Sequence, residues 1–180
     1  MRLIDITTAL IGLILLAPIL FLLAIMIKRD SKGPALFRQA RIGKNSTPFT
    51  CLKFRTMQTN TEDVPTHEVN SSQITKLGQS LRRFKLDEIP QLINVLRGEM
   101  SLVGPRPCLP TQKKLITARE QSGALTVLPG ITGLSQIEGL DMSEPERLAE
   151  RDGQYAKTRT LLGDLAIIIK TFTHILNNKS

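Results

Sequence analysis

The sequence predicts an α+β chain, mostly helical, with an N-terminal membrane-embedded segment, a small β-hairpin and several short helices. Three observations lead there. Ala9 to Ile27 is an uncharged apolar run, two short extended stretches flank a polar turn near residue 45, and much of the remainder repeats apolar residues at helical spacing. The 180 residues suffice for one core. A formal net charge of +8 asks for an anionic partner: nucleic acid, an acidic membrane surface or a phosphorylated substrate. With no Trp, one Tyr and six Phe, the chain lacks the stacking platforms of a single-strand nucleic-acid binder. Cys51 and Cys108 make neither a disulfide framework nor a zinc site, and read as structural thiols in a reducing compartment.

The run "ALIGLILLAPILFLLAIMI" would reach about 28 Å as a helix, roughly one hydrocarbon core. It is long for a signal peptide, and no small-x-small cleavage site follows it. A spanning helix and a re-entrant helix-break-helix both remain. Pro18 at its middle removes a backbone donor and clashes with the preceding turn. Both flanks are basic, with Arg2 before and Lys28, Arg29 and Lys32 after, which suits two ends on one membrane face.

Residues 28–57 carry eight Lys/Arg against one acid, Asp30, a composition that attracts anionic headgroups. Within them, "ALFRQARIG" and "PFTCLKFRTM" form the two extended segments around a Lys44-Asn45-Ser46 turn. Lys53 and Arg55 alternate with Leu52 and Phe54, so they project from one strand face, where ordinary solvation is the bland alternative. The polar stretch 58–73 reads as a loop; its Glu62, Asp63, His67 and Glu68 match no metal-ligand spacing and are taken as solvated.

Helical patterning resumes over Ile74–Arg83 and Leu86–Leu96, with Gly98 as the stop. Thr111 is expected to cap a helix running to about Gln121. "SEPER" (143–147) has the spacing of a capping box, with Pro145 in the first turn. The final segment places Leu161, Leu165, Ile168, Phe172 and Ile175 on a wide apolar face, which suits a core helix or one lying in a membrane interface. His174 on that segment belongs to no motif.

Asp87 and Glu88 stand side by side ahead of Pro90, at a predicted helix start where free N–H groups favour anions. Arg82 lies one turn upstream. Arg106 sits between two prolines that stiffen its loop, and a guanidinium held this way suits phosphate. The glycines of "PGITGLSQ" (129–136) allow close backbone approach to a ligand.

In this order, the apolar segment with its central proline, "FRTM", "LDEIPQLINVLRGEMSLVGPRP" and "PGITGLSQ" resemble the small bacterial sugar transferases, the monotopic phosphoglycosyl transferases, over about residues 2–176. The resemblance implies a re-entrant helix broken at Ala17-Pro18 (residues 1–29) and a catalytic domain (30–180) on the cytoplasmic face of the bacterial inner membrane. It implies transfer of a sugar phosphate from a UDP-sugar to polyprenol (undecaprenyl) phosphate, with release of UMP. Asp87 would be the nucleophile of a ping-pong reaction through a phosphoaspartyl-sugar, and Glu88, with Asp87, would hold Mg²⁺. Lys53, Arg82 and Arg106 match the family's phosphate-binding cations. Gln136 matches the glutamine after the Pro-Gly-Ile-Thr-Gly turn, and Asp152 and Tyr155 in "ERDGQYA" match a C-terminal Asp-x-x-Tyr element near the substrate or metal.

Many relatives read "PGITGWAQVNGR", against "PGITGLSQIEGL" here, so the donor's sugar is left open. The chain's small size tilts it towards N-acetylated amino sugars, bacillosamine-like ones included. Expected partners are the UDP-sugar, polyprenol phosphate and anionic lipids but no nucleic acid, and the sequence leaves a homodimer open. Two rivals remain. A membrane-tethered basic module binding lipid or nucleic acid explains the charge but not the stiff Arg106 loop. A metal-dependent phosphohydrolase would need a base for water, and none stands out.

Overall fold

The computed structural model describes residues 1–58 and 73–177, so the four polar residues at 62–68 lie outside the described part. Helix α1 (Arg2–Asp30) runs 29 residues, about 43 Å along its path, and helical geometry continues through Pro18, so the break expected at Ala17-Pro18 does not interrupt the helix. It is the one described helix long and apolar enough to cross a membrane. Its buried residues fall at its two ends, Asp5 and Ala9 near the start and Leu23 and Ile27 near the finish. Between them the surface is open, with Leu10, Ile11, Ile14, Leu15, Ile19, Phe21 and Leu22 exposed.

Polar contacts fix both ends. Arg2 donates to the carbonyl oxygens of Met100 and Val95. Asp5 accepts from Ser101 Oγ (2.9 Å) and the Leu102 amide (3.1 Å). At the other end Arg55 Nη2 donates to the oxygens of Ile27 (3.3 Å) and Ser31 (2.6 Å), supplying charge and donors to the orphan carbonyls of a helix C-terminus. Leu23 and Ile27 pack there with Ala35, Phe54 and Leu81. Arg55 thus leaves the solvated role open to a strand residue and becomes part of the seam between α1 and the hairpin.

The hairpin is as the sequence suggests. Strands β1 (Leu36–Ile42) and β2 (Pro48–Phe54) pair antiparallel, Leu36 opposite Phe54 and Ile42 opposite Pro48. Asn45 and Ser46 take left-handed backbone at the tip. Helix α2 (Lys76–Arg83) starts where Thr75 accepts from the Gly78 amide, a side-chain N-cap. A single 3-10 turn over Leu86–Glu88 precedes α3 (Gln91–Arg97), so the predicted Leu86–Leu96 helix is split, with Pro90 at the N-cap and Gly98 closing it in left-handed conformation. Asn94 clamps α3 to β2: its Oδ1 accepts from the Leu52 amide and its Nδ2 donates to Thr50 O.

Two strands of three residues were not apparent from sequence. β3 (Ser101–Val103) and β4 (Gly130–Thr132) run parallel, Ser101 opposite Gly130. Their backbones come so close that a Cβ on Gly130 would fall 2.1 Å from the Gly104 nitrogen. That glycine makes room for protein backbone, which corrects the expectation of room for a ligand. Helices α4 (Lys113–Ser122), α5 (Leu134–Ile137) and α6 (Pro145–Thr158) complete the core side of the site.

Two expected caps do not form. Gln112, not Thr111, stands at the α4 N-cap, and it makes no side-chain cap. Glu144, not Ser143, stands at the α6 N-cap and makes no side-chain cap, and the Ser143 backbone N–H donates to Asp141 Oδ1 (2.8 Å), so the Ser-x-x-Glu box is absent, although Pro145 does open α6. The last helix, α7 (Leu161–Asn177), buries Asp164 and Ile167, while Leu161, Leu162, Leu165, Ile169 and Phe172 face outward.

Candidate active site

The 3-10 turn of residues 86–88 is wedged between α2, β2 and α3, which buries both acids of the Asp87-Glu88 pair: they are 7% and 6% exposed. Two of the expected cations meet on one atom. Lys53 Nζ, from β2, lies 2.9 Å from Glu88 Oε1, and Arg106 Nη2 lies 2.7 Å from the same oxygen. Lys53 is therefore not a solvated strand residue. Arg82 donates from Nε to Thr56 Oγ1 (2.9 Å), and its charge acts on both acids.

The neighbours divide the pair electrostatically. Burial pushes Glu88 up, but Arg106 and Lys53 outweigh it and hold the carboxyl well below its ordinary range. Burial, then the negative Glu88, pushes Asp87 up, with Lys53, Lys85 and Arg82 opposing. Asp87 Oδ1 is buried without a hydrogen-bond partner among the described residues. Glu88 is thus an anion held in ion pairs through Oε1, and Asp87 is a buried carboxyl with one oxygen unpartnered among the described residues.

Beside them opens a cavity of about 380 Å³. Lys85, Arg106, Arg41, Gly104 and Gly133 line its polar side, and Leu140, Met142 and Leu148 line an apolar one. The acids themselves are not in its wall; Lys85 and Arg106, which flank them, are. Gln136 and Asp152 also line it. Gln136 Nε2 donates to Ile131 O, leaving its buried Oε1 without a partner.

Asp152 is fully engaged. Arg119 Nε (3.0 Å) and Nη2 (2.6 Å) both donate to its Oδ2, and Ser135 Oγ donates to Oδ1 (2.6 Å). Arg119 Nη1 also reaches the Arg106 carbonyl (2.8 Å), so this cluster holds the backbone of the Arg106 loop. Tyr155 lies away from the cavity wall and donates to Asp164 Oδ1 (2.7 Å) and Val103 O (3.2 Å). Burial and the Asp164 bond raise its hydroxyl well above the ordinary tyrosine range.

Lys53, Arg82, Arg106, Asp87 and Glu88 thus come together as expected from sequence, Gln136 joins at the cavity, and Asp152 and Tyr155 serve as internal struts. Arg119 and Arg41 escaped the sequence reading. Arg41 is buried, donating to Gln39 and to Pro107 O. Arg119 sits in "KKLITAREQS" among charged neighbours, with nothing local to mark it as the core residue it is, 1% exposed. Burial raises both thiols, Cys51 and Cys108, as suits inert core groups.

This geometry accompanies a clear kinship. Residues 1–178 match the family of bacterial sugar transferases. The chain is 40% identical over 184 residues to a UDP-glucose:undecaprenyl-phosphate glucose-1-phosphate transferase of Caulobacter vibrioides, covering 97% of this chain and 69% of the relative. It is 38% identical to an exopolysaccharide production protein of Rhizobium leguminosarum bv. phaseoli, covering 93% and 88%. With a UDP-galactose-lipid carrier transferase of Erwinia amylovora the identity is 35%, over 97% of this chain but 40% of that longer protein. The chain belongs to the bacterial sugar transferase family.

Proposed function

We propose that the protein is a phosphoglycosyl transferase that moves a sugar phosphate from a UDP-sugar to undecaprenyl or a similar polyprenol phosphate and releases UMP. The observation that carries this reading is the buried Asp87, with one unpartnered oxygen, set beside a Glu88 that Lys53 and Arg106 clamp at the edge of a cavity. The activities for which the Caulobacter and Erwinia relatives are named support the same reaction class.

In the first step an Asp87 oxygen attacks the sugar-bearing phosphorus. An O–P bond forms, the bond to the UMP oxygen breaks, and UMP departs with the electron pair. In the second, the anionic oxygen of polyprenol phosphate attacks the same phosphorus and frees the carboxylate. Neither nucleophile needs a general base at neutral pH. The cations do the electrostatic work: Lys53, Arg106 and Arg82 surround the acids where phosphate charge gathers.

Mg²⁺ fits this donor set, because it takes one or two carboxylates and completes its shell with substrate phosphates and water. Asp87 Oδ1 is the kind of orphaned buried oxygen that a cation satisfies. Glu88 together with Asp87 would hold the ion, which when bound neutralises diphosphate charge.

The membrane reading rests on α1. Both of its ends are pinned to the same domain, at Arg2 and Asp5 and again at Ile27, whereas its exposed apolar middle has nothing in the protein to cover it. Docking of both ends on one domain favours a re-entrant segment that enters and leaves on the cytoplasmic face, and the outward apolar side of α7 suits the same interface.

A UMP-release assay over a panel of UDP-sugars with polyprenol phosphate tests the function and chooses the sugar. The relatives are named for glucose and galactose, and the sequence-based expectation is an N-acetylated amino sugar, so the panel carries all three. No release with any donor would sink the transferase reading.

A further inference from the structure

The cations around the site differ in how far they are already committed. Lys53 and Arg106 both sit on Glu88 Oε1, Arg82 Nε is held by Thr56, and Arg41 is tied to Gln39 and Pro107. Lys85 is the exception. It lines the cavity and is exposed, and its side chain makes no hydrogen bond or ion pair among the described residues, its charge reaching Asp87 and Glu88 only through space.

Its backbone is equally unusual. Lys85 has φ +56°, left-handed, where L side chains with a long Cβ substituent are rare. The chain leaves α3 and α4 through Gly98 and Gly123 in the same conformation, the ordinary use of glycine at a helix end. After α2 the corresponding turn falls to a lysine instead, one residue beyond the Phe84 cap. The helix dipole does not call for it, because Arg82 and Arg83 already place positive charge in the last turn of α2. Among non-glycine residues with positive φ, Asn45 and Ser46 are explained by the hairpin tip, whereas Lys85 sits two residues from Asp87. Strain of this kind persists where it positions a functional group.

Resting on the transferase reading above, we infer that Lys85 binds the phosphate of the nucleotide, the group that leaves as UMP, and is held in its left-handed turn to aim its ammonium into the cavity. The division of labour follows from the commitments of the other cations. Lys53 and Arg106 are spent on orienting Glu88 next to the attacked phosphorus, whereas the uncommitted Lys85 faces the cavity that receives the rest of the donor. A lysine is a point charge on a flexible stem, well suited to follow a phosphate as its bond breaks.

The left-handed backbone supplies a clean test, because Gly and Asn are the residues that conformation prefers. Lys85→Gly and Lys85→Asn should fold at least as well as the parent, with Tm unchanged or raised. Their affinity for UMP should nevertheless fall about tenfold or more, the loss expected when one charged hydrogen bond is removed. Affinity for uridine should not change, and Lys85→Arg should retain most of the UMP affinity. In turnover, KM for the UDP-sugar should rise in the Gly and Asn variants while KM for polyprenol phosphate stays level. Unchanged UMP affinity in both variants would overturn the inference, as would a rise confined to the KM of polyprenol phosphate, which would move the contact to the acceptor. Parent protein that turns over normally alongside unaffected Lys85 variants removes only this contact. Parent protein that neither binds nor releases UMP removes the transferase reading itself.

Discussion

Two of the buried carboxylate clusters, at Asp152 and at Asp87-Glu88, are built to opposite ends. Around Asp152, which also lines the cavity, each carboxylate oxygen has a protein donor: Arg119 donates twice to Oδ2 and Ser135 once to Oδ1. Around Asp87 and Glu88 the hydrogen-bond inventory stays open. Lys53 and Arg106 both engage Glu88 through Oε1, while Asp87 keeps an oxygen without a partner among the described residues and carries a carboxyl pushed upward by burial and by Glu88. Similar residue types thus give a clamped carboxylate in one place and, on the function proposed above, a nucleophile in the other. What separates them is whether the protein itself supplies the last donor.

The largest effect expected from this contrast is on chemistry. Asp87→Asn should lower UMP release by at least about a thousandfold, since a neutral amide cannot form the covalent bond. The same change should raise stability. Asp87's folded value lies above its ordinary one, so its ionised form costs the fold stability above that pH range and nothing once protonated. Thermal melts at neutral pH should therefore favour Asn, with the gap closing as pH falls; a lower Tm for Asn would remove the claim that the site is strained.

Next comes the closed cluster. Arg119→Met leaves Asp152 buried and unpaired and should cost roughly 3–5 kcal/mol in denaturant unfolding, whereas Arg119→Met with Asp152→Leu should recover much of it. Failure of the double variant to recover would mean that the pair does more than balance itself. Activity gives a second readout. The double variant still loses the Arg119 bond to the Arg106 carbonyl, so its kcat should remain below the parent's even where stability returns.

Glu88→Gln should be milder for stability, roughly 1–3 kcal/mol, because Lys53 and Arg106 stay partly in contact with water at 14% and 25% exposure. Its sign with pH is opposite to that of Asp87. A depressed carboxyl stabilises above its ordinary range and loses that contribution as pH falls through the folded value. The parent should thus lose stability in acid more steeply than Glu88→Gln, and parallel curves would remove Glu88 from the ion-pair role. The smallest effect belongs to Ser135→Ala, about 1 kcal/mol for one buried hydrogen bond to Asp152, with near-normal turnover.

The same contrast governs what could be read from the chain alone. The acids, Lys53, Arg106 and the hairpin were legible because contiguous motifs and period-two alternation mark them. The partners of Asp152 were not. Arg119 and Ser135 are 33 and 17 residues from it in sequence, and only the packing of α4 and α5 on α6 brings them there. β3 and β4 escaped because three residues cannot display an alternation. The capping box at Ser143 failed through competition and register: Asp141 Oδ1 accepts from the Ser143 backbone N–H (2.8 Å), the donor that Glu146 would take in the box, and Glu144 rather than Ser143 stands at the N-cap. The left-handed turn at Lys85 had no sequence signal at all, since neither Gly nor Asn stands there.

The central claim is that Asp87 becomes covalently bonded to the sugar phosphate. It is tested most directly by intact-protein mass spectrometry after incubation with the preferred UDP-sugar, Mg²⁺ and no polyprenol phosphate. The account predicts a protein heavier by one sugar-phosphate group, mapping by peptide analysis to Asp87, absent from Asp87→Asn and discharged on addition of polyprenol phosphate. A parent protein that releases UMP only when acceptor is present and never gains mass, or an adduct that persists in Asp87→Asn, would contradict it.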